Sequence, residues 1–520
     1  GVEYFKRVRQ RAGLDTKRYM KAIWPLLAIA LLSTSCIKDL DRVPTNDVTS
    51  VKVYETEEGT MQALAKVYGA CALSEGDVAG VDDGFTGFTR GFYNLQELPT
   101  DEAKCAWNDE AVKGLSDMSW DPNTGFIAGL YYRSLIQIKF ANEYLINVGS
   151  SPLSAELKEQ TSAEVRFIRA FQYWVLMDLF GNPPFITEEN KTSKDAPKQI
   201  KRPELFKYIE SELLDIEGKL PEKVGYARAN KHTVQALLAR LYLNAEVYTG
   251  TPRYKEAAEY AEKVINGDYS LADNYRFLFN ADNHKMTQEI ILAIPFDGQQ
   301  AQSWSGATFF VAASYNDKIA EEVKKLVPGG IGLNSTWGGN RATPTFGKLF
   351  DAKDKRHLLI HTTDHMDNLT DFEQGVHVYK YVNTTQDGQP GSHNDFGDSD
   401  FPLFRLSEML LIYAEASVRG EADKAKGVEY FKRVRQRAGL DTKSSLTLQD
   451  IIDERGRELY WEGHRRTDLI RFGLFTTDKY LWEWKGGAKN GRAVSSNLNL
   501  YPLPSKDMLA NVENLVQNPQ

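Results

Sequence analysis

Residues 454–471 read ERGRELYWEGHRRTDLIR. Glu454, Glu458 and Glu462 recur at i, i+4 and i+8, which puts them on one helix face. Arg455, Arg457, Arg465, Arg466 and Arg471 lie among them. Two chemistries suit this pattern. Paired carboxylates flank the scissile bond in glycoside hydrolysis. Bidentate arginine–carboxylate bonds instead tie one helix to another. With so many guanidiniums among the acids, a structural network is the expectation, and a hydrolase using Glu454 and Glu458 is the alternative. The groups Glu164/Arg166 and Arg405/Glu408/Glu415 read the same way, as pairing inside helices.

Working outward, helical spacing governs both ends of the chain. Apolar residues recur at helical intervals over 56–71, 130–148, 153–180, 203–220, 232–248 and 254–266, and again over 404–419, 424–438 and 448–461. Thr56 with Glu57 and Glu58 opens the first run, and Gly181-Asn182-Pro183-Pro184 closes the third. Small residues at Ala236, Ala239, Ala245, Ala257, Ala258 and Ala261 suit a closely packed helix pair of tetratricopeptide type. Between 282 and 399 the chain turns rich in Gly, Asn, Asp and Thr, with Gly329-Gly330, Gly338-Gly339 and 388–391 as loop punctuation. That segment carries Trp304, Phe309, Phe310, Tyr315 and Trp337, more aromatic surface than a disordered linker holds.

The first residues pose a separate question. Residues 1–17, GVEYFKRVRQRAGLDTK, are repeated letter for letter at 427–443. Structural repeats diverge outside their apolar positions, so residues 1–19 read as a spurious duplicated segment. Met20-Lys21, an apolar run of about ten residues from Ile23 to Leu32, and Ser33-Thr34-Ser35 before Cys36 form an export signal over 20–35. The small residues ending in cysteine resemble a lipobox, which makes Cys36 the site of lipidation, although Ser33 replaces the usual large aliphatic residue. Residues 36–50 then read as an acylated tether, followed by parts 51–280, 281–400 and 401–520.

Composition narrows the function. Hydrophobic residues at 42% and charged residues at 26% describe a globular chain. Lys and Arg total 63 against 71 Asp and Glu, and the net charge of −8 offers nothing to a phosphate backbone, so no nucleic-acid partner is expected. Three cysteines make no disulfide framework; Cys71 and Cys105 are packing residues or one possible pair. His357, His361 and His365 would offer imidazoles to a metal only on a helix, and Thr362, Thr363 and Asp364 between them favour a loop. No GxSxG, GxxxxGK[ST] or HExxH motif occurs, so neither metal nor cofactor is expected and the chain is read as no enzyme.

Taken in order, several stretches resemble one family. Residues 163–170 (AEVRFIRA) with 179–184 (LFGNPP), 236–243 (ALLARLYL), 405–416 (RLSEMLLIYAEA), 434–440 (VRQRAGL), 454–471 and the tail 500–504 (LYPLP) are similar to the SusD/RagB signature. The resemblance implies a mainly all-α fold, a TPR-type helical superhelix with an irregular, loop-rich ligand-binding face. It further implies a surface lipoprotein of the cell outer membrane that captures an oligosaccharide and delivers it to a SusC-like TonB-dependent transporter. The acids after Cys36 resemble the surface-export signal of such lipoproteins. Some relatives bind peptides, so a peptide ligand on the same fold is a further alternative.

Sugar rings offer an apolar face to flat aromatics and paired hydroxyls to planar polar groups. The resemblance points to two regions for such groups. One holds Trp107, Asn108 and Asp109; the other holds Trp304, Tyr315, Trp337, Asn340 and Arg341. Trp174 and Trp461 lie inside signature stretches and are expected in the core, and Trp482 and Trp484 at a transporter contact.

Overall fold

The computed structural model describes residues 51–72, 83–190 and 195–520. The duplicated segment, export signal, Cys36 and the tether all fall outside these residues.

Helices α1 (Glu57–Gly69), α2 (Phe88–Glu97), α3 (Glu110–Ser116), α4 (Gly125–Asn147), α5 (Ala155–Phe180), α6 (Arg202–Glu217), α7 (Lys231–Leu243), α8 (Ala245–Thr249) and α9 (Tyr254–Ile265) form the first part of the chain. Caps set several of their ends. Thr56 accepts from the Gly59 amide and Ser154 from that of Leu157, and Gly181 at φ +76° ends α5. The periodic run over 232–248 is two helices, because Asn244 breaks it and turns its side chain back to the Arg240 carbonyl. Helix α2 is buried on all sides, so its polar face is covered as well as its apolar one.

The middle carries α10 (Ala307–Ala312), α11 (Asp317–Lys324) and α12 (Pro344–Gly347) among loops. Strands β1 (Lys104–Cys105), β2 (Ile290–Ile294), β3 (Asn340–Arg341), β4 (Leu359–His361), β5 (Val376–Val378) and β6 (Phe401–Arg405) pair antiparallel as β1·β3, β2·β6 and β4·β5. The last part holds α13 (Leu406–Val418), α14 (Lys424–Arg437), α15 (Leu448–Leu459), α16 (Arg465–Arg471) and α17 (Ser505–Ala510). Neighbouring helices pack in series, α4 on α5, α5 on α6, α7 on α9, α9 on α13 and α13 on α14, which is the helical superhelix expected from the sequence. One hydrophobic core runs from Tyr54 to Leu515 and joins all three parts.

The acids and arginines of 454–471 form the network, but their geometry differs from the expected helix face. Helix α15 stops at Leu459; Tyr460 is extended and Trp461 sits at φ +60°. Glu462 therefore leaves the helix and meets Arg405 and Lys380, at 2.7 and 2.9 Å. Arg405 also bonds Glu289 at 2.7 Å and Glu458 at 3.2 Å, and Arg356 reaches Glu454 at 2.7 Å. The other two groups pair mostly with residues outside their own helix, although Glu415 also meets Arg419 four residues on at 3.1 Å. Glu164 takes Arg228, Arg166 takes Glu212 and Asp215, Glu408 takes Arg240, and Glu415 takes Arg471. Glu454 and Glu458 are sealed from solvent.

The two described cysteines are free thiols, not a pair: Cys71 packs beside Gln137, and Cys105 is buried in β1. The histidines are not helical. His361 closes β4 and its Nε2 lies 2.8 Å from that of His357; among the described residues no group of three His, Cys, Asp or Glu is placed for a metal.

Candidate functional site

The loop after α2 and the irregular middle meet at a two-stranded junction. Lys104 pairs with Arg341 and Cys105 with Asn340, and the Ala106 amide donates to the Gly339 carbonyl at 2.9 Å. Gly338 and Asn340 donate their amides to Ala312 and Ala313 at the end of α10. The 338–340 stretch is thus held on both sides, and it carries Trp337 at its edge.

Trp107 follows directly on this junction. Its indole N–H donates to the Gly338 carbonyl at 3.1 Å. Gly338 and Gly339 have φ of +62° and +107°, values that a side chain tolerates poorly. A Cβ on Gly339 would lie 2.4 Å from Trp107 Nε1, so only glycine fits beneath the indole. On the other side Arg90 sets its guanidinium 5.5 Å from the Trp107 ring and 4.8 Å from Phe309, a cation–π support.

Trp304 and Trp337 complete an aromatic surface. Their ring centres lie 5.9 Å apart, and Trp304 packs on Phe396 at 4.5 Å. Trp304 keeps 48% of its surface exposed, whereas Trp107 and Trp337 are half-buried. Phe372, 37% exposed, approaches Gly338. Asn108 and Asp109 are exposed beside Trp107. Wide, partly wet ring faces of this kind stack on apolar sugar faces at little entropic cost.

The remaining candidates are displaced from that surface. Tyr315 is fully buried and donates its hydroxyl to the Tyr381 carbonyl at 2.7 Å, so it is a core residue. Asn340 is buried in β3, and the Arg341 guanidinium is consumed by the carbonyls of Leu369, Gln374 and Asp371. Burial pushes Arg341 down to about 10. Both serve the junction rather than its face. Trp174 and Trp461 are in the core as expected, but Trp482 is buried too, and Trp484 is half-buried with its indole on the Met366 carbonyl.

Arg90, Phe372, Phe396 and the conformational role of Gly339 had no motif to announce them. The only signal was the glycine pair directly after a tryptophan. Behind the junction, burial lowers Lys104 to about 7 and His377 to about 4, so His377 stands neutral between Thr362 and the Phe372 carbonyl.

Known proteins confirm what this architecture suggests. The SusD family profile matches residues 350–520, and a profile described as starch-binding associating with outer membrane matches 97–243. A "Starch-binding protein SusD" of Bacteroides thetaiotaomicron is 35% identical, over 96% of this chain and 99% of that protein. A "SusD-like protein" of Bacteroides ovatus is 25% identical over 88% of this chain and 84% of its own. Among solved structures, a surface glycan-binding protein A from Bacteroides thetaiotaomicron in complex with laminarihexaose superposes with a TM-score of 0.69 at 20% identity, covering 89% of this chain and 99% of that one. A laminarin-binding SusD-like protein gives 0.70 at 22%, covering 90% and 100%. The helical superhelix, the arginine-clamped carboxylates and these similarities lead to one conclusion: the chain belongs to the SusD family.

Proposed function

We propose that this chain is a cell-surface glycan-binding protein that captures an oligosaccharide on Trp107, Trp304 and Trp337 and hands it to a SusC-like TonB-dependent transporter. The observation that carries this reading is the nearness of three partly exposed indoles: Trp304 and Trp337 lie 5.9 Å apart, and Trp107, 230 residues earlier than Trp337, bonds the carbonyl of the adjacent Gly338. Rigid aromatic platforms suit a ligand whose hydroxyls stay largely hydrated. Asn108 and Asp109 stand at the rim, where planar polar groups engage hydroxyl pairs. The relatives named for starch and laminarin binding support a glycan over a peptide.

Binding without catalysis fits the carboxylates. Glu454 and Glu458 have no exposed surface and are engaged by arginines, which leaves the hydrolase alternative without an accessible acid and base. Cys36 supplies the outer-membrane anchor in this proposal. No helix among the described residues is long and apolar enough to cross a membrane. The test is titration calorimetry of the protein with maltoheptaose and laminarihexaose, repeated with Trp304→Ala and Trp337→Ala. Binding lost in both variants supports the reading; undiminished binding in both overturns the platform, and no heat with either glycan overturns the function.

A further inference from the structure

The aromatic face is an open platform, and a separate cavity of about 650 Å³ lies next to it. That volume falls in the range of small-ligand sites. Asp109 and Glu110 line it, and Asp109 is only two residues beyond Trp107, at most about 7 Å of chain. The opposite wall is one face of α4: Gly125, Ala128 and Tyr132 follow at intervals of three and four. Ala128 is small enough to leave the space open, and Gly125 makes room for Phe85. Phe85 supplies a second half-buried ring, wedged so tightly that a Cβ on Gly125 would come within 2.7 Å of it.

We propose that this cavity is a second subsite, which takes the end of a neutral oligosaccharide whose middle lies on Trp107, Trp304 and Trp337. The inference rests on the glycan reading above. Tyr132 and Phe85 offer partly exposed rings, and Asp109, Glu110, Asp121 and Asn123 offer acceptors and donors for hydroxyls. Asp109 spends no side-chain bond on capping α3. Three carboxylates against one lysine, Lys506, line the space. Uronic-acid or sulfated chains would meet like charge there, so the site selects neutral sugars.

The subsite makes affinity depend on chain length. Calorimetry would compare maltotriose with maltoheptaose, and laminaritriose with laminarihexaose, on the wild type, Tyr132→Ala and Ala128→Trp. The second variant fills the cavity without removing an aromatic contact and guards against a folding defect in the first. The wild type should bind the longer chain of a series about tenfold more tightly, the scale of one aromatic contact. Both variants should lose that gain while still binding the trisaccharide. Equal affinity for short and long chains, or a gain kept in Ala128→Trp, overturns the subsite and leaves the platform standing. Absence of binding to either series by the wild type overturns the glycan reading itself, and the subsite falls with it.

Discussion

Trp107 donates its indole N–H to the carbonyl of Gly338, joining residues 231 positions apart across 3.1 Å. The bond holds one wall of the aromatic face against the other, and Gly339 makes room for it. Gly339→Ala should therefore act on the ligand without touching it. The new Cβ meets the indole at 2.4 Å, and φ of +107° strains any side chain, at about 1–3 kcal/mol. The expected result is a folded protein whose glycan affinity falls about tenfold, near the ~1.4 kcal/mol of one lost contact. Calorimetry beside a circular-dichroism melt checks this, and unchanged affinity would refute the role given to Trp107.

Glu458 is the hub of the buried charges. Burial alone would raise its carboxyl, but the guanidiniums of Arg437, Arg405 and Arg356 override that and bring it down to about 2. Glu458→Gln leaves those cations undercompensated and should cost about 3–5 kcal/mol at neutral pH. A depressed carboxyl contributes stability that is present above its ordinary value and lost as pH falls through the folded one. The gap between wild type and variant should thus narrow as pH drops from about 4.3 to about 2. Urea unfolding at a series of pH values measures it.

The helical part of this fold was legible because its signals are local. Thr56, Ser154 and Gly181 mark ends that capping alone determines, and apolar spacing gave the packed faces between them. The partners of the charged residues were not legible. Glu164 passes over Arg166 for Arg228, a choice made by the approach of the loop that leads into α7. Tyr315, Asn340 and Arg341 looked like ligand groups because nothing local distinguishes a junction strand from a loop tip; the pairing of 104–105 with 340–341 buries them. The three tryptophans of the platform were visible as residue types, but their meeting depends on Gly338 and Gly339.

Glu97 and Glu102 face each other in full burial. Glu97 accepts from the Gly463 amide at 2.8 Å and Glu102 from that of Trp461 at 3.3 Å. Burial raises both carboxyls, Glu97 to about 7, and the charge of Glu97 raises Glu102 further, so a proton shared across the pair is the expectation. A raised carboxyl stabilises the fold fully below its ordinary value, and that contribution is lost as pH rises through 7. Wild-type stability should decline from pH 5 to pH 8. Glu97→Gln keeps the acceptor for Gly463 and supplies a permanent donor to Glu102, so its decline should be shallower. Thermal melts at both values decide it; parallel slopes for the two proteins would count against a shared proton.

Trp304 and Tyr315 stand eleven residues apart in the same irregular segment, yet their substitutions should give opposite results. Half of the Trp304 surface faces water, and its contacts are Trp337 and Phe396. Trp304→Ala should barely move the melting temperature while glycan affinity falls by about tenfold, since stacking contributes ~1 kcal/mol or more. Tyr315 has no exposed surface, and its hydroxyl satisfies the Tyr381 carbonyl. Tyr315→Phe removes that donor and leaves a buried carbonyl short of a partner, at about 1–3 kcal/mol, with affinity unchanged. Melting and calorimetry on the two variants side by side separate a ligand-facing ring from a structural one. A loss of affinity in Tyr315→Phe equal to that in Trp304→Ala would mean that the platform depends on the rigidity of the core beneath it.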